Sequence, residues 1–141
     1  MPEGVGYGPQ NTASIGLNLN IIGNFAYAYS GVIVSIDDGY VEMLKFTTGN
    51  YVFVGKLTMV GATVDNNPDS GMRSNFKTKL NNTVTMNINT LTGQSGEGAP
   101  GQAIAPMIIP PYTEVIVSNR GASSGYHVQV SMAGRVYGKI E

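Results

Sequence analysis

Apolar and polar residues alternate along most of this chain. Leu17, Leu19 and Ile21 flank Asn18 and Asn20; Phe76, Thr78 and Leu80 flank Lys77 and Lys79. A strand sends successive side chains to opposite faces, so the pattern predicts strands with one wet face. Similar runs occupy Phe25 to Ile36 (broken at Ser30-Gly31), Tyr40 to Thr47, Tyr51 to Thr63, Val84 to Ile88, Ile104 to Ile109, Thr113 to Ser118 and Tyr126 to Tyr137. In the last run Val128, Val130, Met132, Gly134 and Val136 share one face, and His127, Gln129, Ser131 and Arg135 share the other. No window carries the i, i+3, i+4 stripe of an amphipathic helix.

The segments between the runs are turn-forming. Gly23-Asn24 and Thr48-Gly49-Asn50 can reverse the chain, and Asp37-Asp38-Gly39 between apolar runs predicts a hairpin. Asp65 to Gly71 reads as a polar loop and Gly93 to Gly101 as a glycine-rich one. Pro110-Pro111 cannot donate ladder hydrogen bonds, so it belongs at an edge or a strand entrance, where it fixes the start of the next strand. Gly134, on an inward face, predicts close approach of the opposite sheet. Strands spaced by roughly 10 residues and joined by such turns predict an all-β fold, a jelly-roll-like sandwich of about eight antiparallel strands. Met1 to Ser14 has no apolar period and reads as a flexible, extended N-terminal arm; residues 15–141 form one sandwich domain.

Composition narrows the function. Only 12% of the 141 residues are charged, about half the usual share of roughly 25%, while 42% are hydrophobic. A neutral polar surface loses little desolvation energy when a partner covers it, which favours large interfaces. The net charge of −1 gives no field to attract phosphate backbones, so nucleic acid is not an expected partner. No apolar run approaches the roughly 20 residues of a membrane span, and Met1-Pro2-Glu3-Gly4 has no signal-peptide pattern, so synthesis in the cytoplasm and no membrane partner are expected. The absence of cysteine excludes disulfides and thiolate chemistry.

Candidate chemistry is thin. His127 is the sole histidine, so any Ser-His-Asp relay would need it, yet no nucleophile motif lies nearby. One histidine cannot supply a zinc site. Asp65, Asp69 and Gly71 resemble part of a calcium loop, but the closing Glu is replaced by Phe76. Gly93, Gly96, Gly98 and Gly101 lack the strand-to-helix context of a phosphate cradle. Asn81-Asn82-Thr83 is a formal glycosylation sequon with no secretion signal to accompany it. Eight tyrosines could stack on sugars or simply suit strands and interfaces. No catalytic, metal or cofactor-binding residue is assigned, and no enzyme activity is expected.

Ile109-Pro110-Pro111-Tyr112-Thr113-Glu114-Val115-Ile116-Val117, followed by Val128 to Gly138, resembles the end of small β-sandwich virion proteins of tailed bacteriophages, and Phe46 to Leu57 resembles the same group. That resemblance implies a virion structural protein made in the host cytoplasm: a capsid decoration or minor capsid subunit. Its expected partners are its own copies, in a cyclic homo-oligomer with a trimer favoured, and capsid or other virion proteins. The alternative is a carbohydrate- or receptor-binding module of a tail fibre. Tyr7, Pro110, Pro111, Tyr112, Arg135 and Tyr137 are the expected assembly contacts, with Arg135 placed to pair with a carboxylate across a subunit boundary.

Overall fold

The computed structural model describes residues 19–36, 38–63, 73–91, 101–121 and 127–138. Ten strands run through them: β1 (Asn20–Ile22), β2 (Phe25–Tyr29), β3 (Ile33–Val34), β4 (Val41–Thr47), β5 (Val52–Thr63), β6 (Arg73–Leu80), β7 (Thr83–Leu91), β8 (Gly101–Ile109), β9 (Glu114–Gly121) and β10 (His127–Tyr137). The expected arm, Tyr7 with it, and the two glycine- and aspartate-bearing loops at 65–71 and 93–100 lie outside the described residues.

Every pairing is antiparallel. One sheet has the order β1-β2-β10-β5-β8, with β3 also paired to β10; the other has the order β4-β9-β6-β7. Setting aside β1 and β3, the first and last strands are neighbours, and β4 and β9 repeat that relation in the second sheet. This is jelly-roll topology, an eight-stranded double Greek key with β1 added as a hairpin on β2. The fold is the all-β sandwich that the alternation predicts.

Asp38-Gly39 corrects one expectation. The strands on either side, β3 and β4, pair in different sheets, so this segment crosses between layers and closes no hairpin. A true two-residue hairpin joins β6 to β7: Asn81 and Asn82 both have positive φ, 50° and 67°, as a type I′ turn requires. The sequon is therefore a turn. Asn81 also holds the neighbouring strand, accepting from the Glu114 amide through Oδ1 and donating its own amide to the Glu114 carbonyl, both at 2.9 Å.

The core lies between the sheets. Phe53, Leu57, Met59, Ile109, Val130 and Met132 come from one layer, and Met43, Leu44, Phe46, Phe76, Val115 and Val117 from the other. Met43 and Leu44 are both buried, against strict alternation, because the β4–β9 register shifts between Val117 and Ser118. A bulge there leaves Met43 unpaired and turns it inward. Towards Gly121 the inner face of the four-stranded sheet becomes polar, with Ser74, Thr90 and Asn119 buried.

Gly134 brings a second correction. Its direct neighbour is Gly55 on β5, within the same sheet, and not the opposite layer. A Cβ on Gly134 would lie 2.5 Å from Gly55 Cα, so the two strands meet backbone to backbone.

Candidate functional site

The two outer faces differ in kind. On the four-stranded sheet, polar groups satisfy one another: the Tyr40 hydroxyl donates to Asn75 Oδ1 at 2.7 Å, and Asn75 Nδ2 donates to Asn89 Oδ1 at 3.0 Å and to Asn87 Oδ1. Lys77 Nζ sits 3.8 Å above the Tyr40 ring. That face is finished in water.

The outer face of the six-stranded sheet carries exposed apolar side chains. Register places Ile22 opposite Phe25, Phe25 opposite Arg135, Arg135 opposite Val54 and Val54 opposite Ile108. Direct partners in an antiparallel ladder share a face, so these side chains form one row across five strands, about 19 Å wide at ~4.8 Å per strand. Ile22 is 56% exposed, Phe25 55% and Ile108 67%. The Arg135 guanidinium carbon lies over the Phe25 ring, 4.7 Å from its centroid. A parallel row further along brings Tyr29, Ser131, Thr58 and Ile104 together.

Of the expected contacts, Arg135 and Tyr137 are successive outward positions at the end of β10, and Tyr137 pairs with Val52. Pro110 immediately follows the Phe53–Ile109 pair, so the same end of the sheet gathers all three. Pro111 and Tyr112 carry on around the turn into β9, where Tyr112 is 71% exposed at a left-handed φ of 53°. Tyr51, half-buried beneath that end, has its hydroxyl pKa raised by burial, with the Gly49 backbone pulling the other way by less. Pro110-Pro111 follows an edge strand, β8, and leads into β9, which is central, between β4 and β6, so it stands at a strand entrance as expected.

Ile22, Phe25, Val54 and Ile108 are the site residues that sequence reasoning missed. The signal for them lies in β8, where Ile104 and Ile108 face out while Ala105, Met107 and Ile109 face in. A strand apolar on both faces needs cover on both. His127 stands at the start of β10, paired with Val34, partly exposed. Among the described residues, no three His, Cys, Asp or Glu side chains group as metal ligands would.

No protein-family model matches the chain, and no curated protein matches it by sequence. Among solved structures, a family 35 carbohydrate binding module from Clostridium thermocellum is similar at 9% identity and a TM-score of 0.37, over 76% of this chain and 90% of that one. At that level the likeness carries nothing about what this chain binds.

Proposed function

We propose that the chain is a virion structural subunit, a capsid decoration or minor capsid protein that closes into a ring of its own copies and attaches to the particle surface. One observation carries this reading: the apolar row Ile22–Phe25–Arg135–Val54–Ile108 on an outer face that none of the described residues covers. At ~25 cal/mol per Å² of apolar surface removed from water, such a row favours association. The phage-like segments supply the context, because all three, Phe46–Leu57, Ile109–Val117 and Val128–Gly138, reach strand ends that border this face or enter it. Jelly rolls also serve lectins and enzymes, so topology by itself does not choose among them.

Light scattering on the purified chain tests the reading. The wild type should run as a discrete multiple of its 14.9 kDa mass. Ile108→Asp, at a site already mostly in water, should change stability by no more than about 0.5 kcal/mol while driving the protein to monomer. A wild-type monomer at every concentration would remove the proposal.

A further inference from the structure

A depression of about 210 Å³ opens on the outer face of the six-stranded sheet, bordered by Tyr29, Gly31, Thr58, Val60, Gln129 and Ser131. Its origin is local. After Tyr29 the Ser30 amide still donates to the Val130 carbonyl (3.0 Å), but the Val130 amide is taken by the Ser30 hydroxyl (2.9 Å). Gly31 then turns away at φ 71°, and pairing with β10 resumes only at Ile33 and Val34. Two residues, Gly31 and Val32, thus stand opposite the single Gln129, and the strand bulges beside the depression.

What lines it defines a ligand. Among the described lining residues no side chain carries a charge at neutral pH, so an ion would lose its water without a counter-charge. The hydroxyls of Thr58 and Ser131 and the amide of Gln129 each offer both donors and acceptors, which a wholly apolar ligand would leave unpaired. Tyr29 adds one aromatic surface, 53% exposed and braced against Tyr27 with ring centroids 5.3 Å apart. The volume falls below the roughly 300 Å³ at which sites for drug-sized ligands begin. A small neutral ring with one apolar face and a rim of hydroxyls fits all of these demands.

We infer that the depression is a binding site for a single ring of a neutral sugar, such as the terminal residue of a cell-surface or particle-borne glycan. This goes beyond the assembly reading and does not depend on it. Ser131, the lining residue on β10 nearest the apolar row, stands four positions from Arg135, about 13 Å along the strand, so the depression lies beside the row and not within it.

The test is an amide-resolved NMR titration of the full chain with D-glucose, D-galactose, D-mannose and N-acetyl-D-glucosamine in turn. At least one should give saturable shifts centred on Thr58, Gln129 and Ser131, with a millimolar Kd. Tyr29→Ala should weaken that binding about tenfold, the scale of one lost aromatic contact. Gln129→Leu, at an exposed position that does not endanger folding, should weaken it as well. Neither variant should alter the oligomeric mass. No saturable shift from any of the four sugars, or undiminished binding in both variants, would overturn the inference. So would a change of oligomeric mass with sugar binding intact, which would make the depression a seat for a partner's side chain.

Discussion

Thr48 shows how much of the site's end hangs on one hydroxyl. It is buried, accepts from the Thr113 amide at 2.8 Å and donates to the Pro110 carbonyl at 2.8 Å, while its own amide donates to the Thr113 carbonyl at 2.9 Å. Together with the Tyr112 amide donating to Gly49 (2.9 Å), these bonds clamp two turns and hold Tyr112 in its left-handed conformation. A non-glycine residue there carries a strain of order 1–3 kcal/mol, which the clamp offsets. Thr48→Val keeps the shape but leaves the buried Thr113 amide one partner short, an expected loss of about 1–3 kcal/mol in urea unfolding, with Thr48→Ser recovering most of it. An unchanged midpoint in Thr48→Val would mean that the backbone alone secures the turn. Nothing near Thr48 in sequence announces this role. Thr-Gly-Asn reads only as a turn, and the partners stand 62 and 65 residues away.

At the scale of elements, local pattern and long-range pairing part company. The two faces of β10 are legible from alternation alone, because burial follows its period of two almost without interruption. Which strand lies beside it is not legible: β2 reaches β10 across a sequence separation of 100 between Ser30 and Val130, and no local signal encodes that distance. The same limit explains Asp38-Gly39, whose turn chemistry suits a hairpin while the chain changes sheets. It also explains Gly134, where the sequence gives a need for space but not its direction. Its true neighbour, Gly55, yields a sharp expectation. Gly134→Ala would press a methyl into the Val54–Gly55 backbone, which cannot swing aside as a side chain could. That substitution should cost about 3 kcal/mol, the upper end of ordinary overpacking, read as a fall in Tm. Gly39→Ala is the control: its Cβ would meet only Ile36 Cδ1 at 3.9 Å, and stability should stay within about 0.5 kcal/mol. Equal falls in the two variants would show that the β10–β5 contact has room to spare.

For the whole molecule the decisive asymmetry is in charge. Among the described residues cations stand on both outer faces, Lys56 and Arg135 on the six-stranded sheet and Lys45, Lys77, Lys79 and Arg120 on the four-stranded one, but the carboxylates Asp38, Glu42 and Glu114 all lie on or beside the four-stranded sheet. Two copies meeting face to face through the apolar row would bring like charges together at the centre of a low-dielectric contact. A head-to-tail contact can instead set Lys56 and Arg135 against Glu42 and Glu114 of the next copy, a pairing that two six-stranded faces cannot make. Heterologous contacts of this kind close into rings when the rotation permits and otherwise run on as open filaments. The expected outcome in native mass spectrometry is therefore one closed species, a trimer at three times 14.9 kDa, with no dimer accumulating on dilution. Charge neutralisation separates the geometries. Lys56→Gln combined with Arg135→Gln should weaken a head-to-tail ring by removing the cations that face the next copy's carboxylates, with little effect on the fold because both side chains are exposed. The same pair of changes would leave a face-to-face dimer intact or tighten it by removing its cationic repulsion. A dimer that survives the double neutralisation would refute the ring while keeping the apolar row as an interface.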